Sequence, residues 1–387
     1  MSISINPFIV SGKIPEAYFC DRIEESTELQ KSLTNQLNVV LTSSRRMGKT
    51  SLVDFVFDKS VIKDDYITIS VDILQTTTFR EFIFTLGTAV FETVATKSDK
   101  WRKMFITFLK SLSGSFGYDP VQNTPTFDVR LGDIQQPEYT LREIFQYLES
   151  VEKRCLVVID EFQQITRYPE KNVEEILRTQ IQKLSNANFV FSGSRRRLME
   201  EMFFSSKRPF YQSAKPLRLE PIDKDVYFDF ASTHFQKAGK TLSKEAFTYV
   251  YDTFWGVTLY VQRMMKDAYI ETPEGKVCDV YMVKILIENY IKENDSHLRE
   301  QLSFITEAQK ELLYAIYAEG EVQSITSSAF NKKHRLRSPS STQSAALKLL
   351  EYDLITRKEK TYSLSDPLLS LWLDRRCNIA TQQTSSY

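Results

Sequence analysis

Gly48, Lys49 and Thr50 follow one another directly, and together they supply what a phosphate chain requires. The glycine lets backbone approach closely, the lysine reaches outward with a positive charge, and the threonine hydroxyl can ligate magnesium. They sit in "SSRRMGKTSL", where the backbone of Ser44, Arg45, Arg46, Met47 and Ser51 completes the expected cradle. Ser43 occupies the position of the motif's first glycine. A Cβ there narrows the dihedrals open to the turn, yet its small hydroxyl can bond local backbone, so an altered turn is expected rather than a closed pocket. A nucleotide site also needs a carboxylate near the magnesium and a group that polarises the attacking water. Asp160 and Glu161, which end the run "CLVVIDE", offer both. In the stretch "FSGS", Ser192 or Ser194 could meet the γ-phosphate or the water, and an ordinary strand-to-loop turn is the competing reading. Arg195, Arg196 and Arg197 could contact phosphate, pair with acids or solvate a helix start. Arg208, on a loop of small residues, is the arginine-finger candidate.

These residues need elements to hold them. The apolar, β-branched run 37–43 ("LNVVLTS") followed by a polar loop and the helical pattern "TSLVDFVFDKSV" spells strand, loop, helix. Further strands are expected at 66–74 ("YITISVDIL"), at "RCLVVID" and at "ANFVFSG", with helices between them, including one over 78–96. The alternation predicts an α/β fold: a parallel P-loop sheet with helices on both faces, binding its ligand at the strands' carboxyl ends. Residues 112–140, rich in glycine and proline, suggest an inserted loop or hairpin and receive no chemistry. Residues 1–221 form the expected P-loop domain and 222–300 an all-helical lid. Residues 301–376 form a winged-helix domain of three short helices and a hairpin, and 377–387 a frayed tail.

Composition narrows the classes. The chain has 387 residues, enough for two or three domains, and its 42% hydrophobic content excludes a disordered chain. Fifty basic and fifty acidic residues cancel, so any attraction to nucleic acid or membrane must be local. Cys20, Cys155, Cys278 and Cys377 have neither metal-ligand spacing nor the density of a disulfide scaffold. With no secretory signal pattern and no long apolar run, the expected location is the cytoplasm.

The segments "RRMGKTSL", "LVVIDEFQQI", "SGSRRRLMEEMF", "KRPFYQ" and "SSTQSAALKLLEYDLI" together resemble the archaeal-type ATPases of the AAA+/STAND group of P-loop proteins, over nearly the whole chain. The resemblance implies ATP and magnesium as ligands. It assigns Gly48, Lys49 and Thr50 to phosphate and metal, Asp160 to the metal, Glu161 to water activation and Ser194 to the sensor position. "YFCDRIEESTEL" is similar to the segment that lies near adenine, which makes Phe19, Asp21 and Arg22 the adenine-side residues. Gly256, Tyr260 and Gln262 fit the family's lid pattern, although its proline is missing. "FYQS" stands for the family's "LYGR", so Gln212 replaces a glycine and no arginine follows.

In a winged helix the second helix of the helix-turn-helix can enter a DNA major groove; here that is residues 340–350. Eight Lys or Arg against four Asp or Glu between residues 321 and 360 give a modest basic face. Lys332, Lys333, Arg335 and Lys358 would meet phosphates, but the groove helix carries only Lys348 and no guanine-reading arginine. Ala346, Leu347, Leu349 and Leu350 are expected in its core. Three readings result: a slow magnesium-dependent ATPase acting as a nucleotide-controlled switch, a nucleotide-gated DNA-binding protein, and a scaffold that binds nucleotide without turnover. The partner, protein or DNA, and the oligomeric state stay open.

Overall fold

The computed structural model describes residues 6–109, 111, 117–119, 124–126 and 130–384. They divide into two compact units, one formed by Ile9–Ile222 and the other by residues 223 onward together with those before Ile9.

The first unit is built on a five-stranded, wholly parallel sheet in the order Tyr66–Asp72, Arg154–Asp160, Ala187–Gly193, Val39–Thr42, Lys215–Arg218. Alternation along each strand sorts side chains onto two buried faces. Val40, Cys155, Val157, Ile159, Phe189 and Phe191 join one core with the helices Phe79–Lys97 and Pro137–Ser150. Val39, Leu41, Leu156, Val158 and Val190 join the other with Ile23–Thr34 and Lys49–Phe57. This is the expected α/β architecture, and the registers Thr42↔Gly193 and Asp72↔Asp160 align the carboxyl ends of the strands.

The edge strand Lys215–Arg218 escapes sequence reading because three of its four residues are exposed and Pro216 interrupts it. Proline is tolerated there since an edge strand leaves one side of its backbone unpaired. Residues 117–119 and 124–126 pair antiparallel, giving the hairpin alternative at the insertion. Of the alternating "TFDVRL", residues 127–129 lie outside the described residues.

The stretch 222–300, which from residue 223 onward belongs to the second unit, is not wholly helical. Thr241–Leu242 and Val277–Cys278 form a parallel pair, each too short to leave a period in the sequence. After it, the helices Glu307–Glu319, Ser328–Lys333 and Pro339–Glu351 precede the hairpin Ile355–Lys358/Thr361–Leu364, to which Glu321–Val322 adds a third strand. Ala346 and Leu349 are buried and Leu350 is half-buried, but Leu347 is 58% exposed. It lies one residue from Ala346 and two from Leu349, and a helix turns too fast for all four expected core positions to face inward. The last helix, Pro367–Thr384, runs on through residues expected to be a frayed tail. No described helix is long and apolar enough to cross a membrane.

Candidate nucleotide site

At the carboxyl edge of the sheet the strand Val39–Thr42 feeds a loop that ends at Gly48, whose φ of 89° is left-handed. A Cβ at Gly48 would touch nothing within 4 Å, so its backbone conformation is what calls for glycine. The helix Lys49–Phe57 begins immediately, and its first amides have no partner within the helix. Ser44, Arg45, Arg46 and Thr50 are exposed around this point, Gly48 and Ser51 are half-buried, and Met47 and Lys49 are buried. The loop is thus open to solvent on either side of a lysine that is buried.

Ser43 takes part in the loop instead of merely distorting it. Buried at 2% exposure, its Oγ donates to the Ser44 carbonyl at 2.8 Å and accepts from Lys49 Nζ at 3.4 Å. Burial pushes the Lys49 pKa down, while Glu161 and then Asp160 pull it back up. A buried ammonium with, among the described residues, one long hydrogen bond and two nearby carboxylates has unfilled capacity for an anion.

The acids arrive from the strand Arg154–Asp160, which is separated from the loop strand by Ala187–Gly193. Asp160 Oδ2 accepts from Thr50 Oγ1 at 3.2 Å, and Oδ1 accepts from Ser192 Oγ at 2.6 Å and from the Glu161 amide at 3.0 Å. The intervening strand therefore fixes the carboxylate that faces the threonine. Glu161, at a left-handed φ of 54°, accepts at Oε2 from Ser194 Oγ (2.7 Å) and from Gln163 Nε2. Its other oxygen, Oε1, has no donor among the described residues. Both serines of "FSGS" are thus used, one on each acid.

Gln163 was not singled out from the sequence; its only signal is its place two residues after Glu161 in a turn of 3-10 helix. Gly193 was missed too. A Cβ on it would collide with Gln163 Oε1 and with Met199, so this glycine is set by close approach.

Arg22 is buried and its neighbour Asp21 half-buried, and both are left-handed. Its guanidinium bonds Glu25 at 2.7 Å and the Met47 carbonyl at 3.5 Å, bracing the loop from behind. Phe19 stacks on Phe55 of the helix Lys49–Phe57, with ring centroids 4.0 Å apart. Arg208 is paired with Glu174, and with Glu201 at 3.9 Å, inside its own unit. Arg196 pairs with Glu200 and Glu220. Gly256 and Tyr260 belong to the second unit; Gly256 has a left-handed φ of 66°, and the buried Tyr260 donates its hydroxyl to Asp366 at 2.8 Å.

The Thr50 hydroxyl and the Asp160 carboxylate suit magnesium, which takes oxygen ligands and commonly only one or two from the protein. No group of three or more His, Cys, Asp or Glu among the described residues could hold a metal by itself.

Comparison with known proteins agrees with this architecture. Residues 296–375 match the family described as "Probable winged helix domain". No curated protein matches the chain by sequence. A Walker-type ATPase of Pyrococcus abyssi superposes with a TM-score of 0.66 at 19% identity, over 95% of this chain and 99% of that one. The ORC2 protein of Aeropyrum pernix, solved as ADPNP–ADP complexes, superposes at 0.57 with 12% identity over 99% of both chains. Its ADP form superposes at 0.54 with 12% identity, over 98% of both. The chain thus has the fold of archaeal Walker-type ATPases, with a winged-helix domain near its C-terminal end.

Proposed function

We propose that the protein binds ATP at the loop of residues 43–51 and hydrolyses it slowly, as a nucleotide-controlled switch of the STAND kind in the cytoplasm. The observation that carries this is the meeting of Thr50 and Asp160 at the start of the Lys49–Phe57 helix. The buried, free thiols of Cys20, Cys155 and Cys278 support a reducing compartment.

In this reading the amides of residues 44–51 and the Lys49 ammonium hold the phosphates. Lys49 exchanges its long contact with Ser43 for phosphate oxygens. Thr50 and Asp160 would hold magnesium, which would supply neutralisation of phosphate charge. Ser194 and Gln163 fix Glu161 through Oε2, leaving Oε1 to accept a hydrogen bond from the attacking water and orient it toward phosphorus. Arg22 holds the loop's curvature from behind, and Phe19, beside it, covers the base. The Glu174 and Glu201 partners of Arg208 favour a structural role over an arginine finger.

The test compares magnesium-dependent phosphate release by the parent, Lys49→Ala and Glu161→Gln. Turnover lost in both, with ATP binding kept only by Glu161→Gln, is expected. Release by the parent at the Lys49→Ala level, with ATP still bound, would leave a scaffold.

A second reading, duplex DNA as partner, is supported by Lys332, Arg335 and Lys358, which are exposed and have no ion pair among the described residues. Two other charges weigh against it: Lys333 pairs with Glu319, and Lys348 on the groove helix pairs with Glu351. With Leu347 exposed on the same helix, a protein partner is favoured. DNA affinity that falls steeply with salt and weakens in Lys332→Ala/Arg335→Ala would reverse that preference.

A further inference from the structure

At the opposite end of the sheet from the phosphate loop lies a cleft of about 230 Å³. Asn38, just before the strand Val39–Thr42, lines it together with residues at the end of the helix Val173–Ile181. Its apolar lining includes Phe191 and Phe210, both fully buried. Arg178 lines it, and the exposed Gln182 and Gln212 stand at its rim.

Three observations set this cleft apart. First, Arg178 has a buried Nε with no hydrogen-bond partner, and no carboxylate among the described residues pairs with its guanidinium. Glu174, one turn earlier on the same helix, is committed to Arg208. Burial pushes the Arg178 pKa down and nothing pulls it back up. The residue as a whole is half-buried, and a guanidinium with one shielded, unmet donor and no counter-charge is suited to a planar oxyanion. Second, Gln212 adopts a left-handed φ of 52°, a conformation unfavourable for a residue with a Cβ. The strained residue nonetheless carries a long side chain, and its carboxamide has no partner among the described residues. Third, the Gln182 carboxamide at the same rim is likewise unengaged. One cation and two amide donors therefore border a space that also has phenyl rings in its wall.

We propose that this cleft binds a single carboxylate carried on a short aliphatic stem, held by Arg178, Gln182 and Gln212 with the stem along the apolar wall at Ile181, which Phe191 and Phe210 back from inside. One unpaired guanidinium balances one carboxylate, whereas a phosphate dianion would bring twice the charge. Such a group can be one end of a free dicarboxylic acid, whose second carboxylate stays in solvent outside the cleft, or an acidic side chain of a partner protein.

Calorimetric titration of the full chain with glutarate, and with a glutamate tripeptide blocked at both ends, tests the proposal. Saturable binding of at least one probe is expected, unchanged in Lys49→Ala and at least tenfold weaker in Arg178→Gln. Glutarate binding alone identifies a free acid; peptide binding as tight or tighter identifies a side chain. Arg178→Gln should melt at or above the parent because it removes a half-buried charge that no described carboxylate balances. Gln212→Gly should melt higher yet bind at least threefold more weakly, a split that a purely structural glutamine would not give. Absence of saturable binding by both probes, equal binding by Arg178→Gln, or a melting point of Arg178→Gln below the parent's would overturn the proposal.

Discussion

Replacing Gly193 by alanine probes how tightly the acid pair is built. The new methyl would lie 2.6 Å from both Cγ and Sδ of Met199 and closer still to Gln163 Oε1, below the separation that real Cβ atoms tolerate. Met199 is fully buried and Gln163 only 5% exposed, so neither has open space beside it. Met199 can adapt through its flexible chain, but Gln163 can withdraw only by releasing Glu161. Overpacking of this kind costs about 1–3 kcal/mol. For a domain near 200 residues this is a fall in melting temperature of roughly 2–12 °C. Thermal unfolding followed by circular dichroism measures that loss, and phosphate release measured well below the melting range should fall with it because Glu161 loses a positioning partner. Adding Gln163→Ala to Gly193→Ala should recover part of the stability, since one of the two clashes disappears, without restoring turnover. If Gly193→Ala melts with the parent and turns over at the parental rate, the packing argument and the role assigned to Gln163 both fail.

Two other outcomes follow from the same geometry. Gly48→Ala meets no steric obstacle but forces a side chain into a φ of 89°; it should cost about 1 kcal/mol in chemical denaturation and weaken ATP binding in equilibrium titration, whereas parental values for both would show that the loop does not depend on this backbone conformation. Burial pushes Cys20 and Cys155 to about 12 and Cys278 to about 11, so at pH 8 each is almost wholly thiol and unreactive; peptide mapping after brief iodoacetamide treatment should find all three unmodified in the native protein and modified in urea, and rapid native labelling would contradict the packing around them.

How much of this was legible beforehand depended on the length of the pattern carrying it. The strands Arg154–Asp160 and Ala187–Gly193 announce themselves as continuous apolar runs because helices cover both faces. The phosphate loop announces itself because its chemistry is local in sequence. Lys215–Arg218 did not, since an edge strand with a proline has neither apolar run nor alternation. Gln163, Gly193 and the bracing of the loop by Arg22 were hidden for another reason. Each depends on where a distant backbone passes, or on a left-handed turn such as Asp21–Arg22 that residue type does not demand. Leu347 shows the opposite error, where an apolar residue beside core positions was taken inward although the helix turns it out.

The strand Ala187–Gly193 is bonded along both sides, and all seven of its residues are buried. Sliding it by one residue would invert every side chain between the two cores, and the next permitted stop is about 6.6 Å away. The sheet therefore behaves as a fixed chassis. Any stroke that follows loss of a terminal phosphate would have to arise in the segments beyond the strand ends, as at Ser194, which leaves the ladder and can release its acid without dragging the framework along.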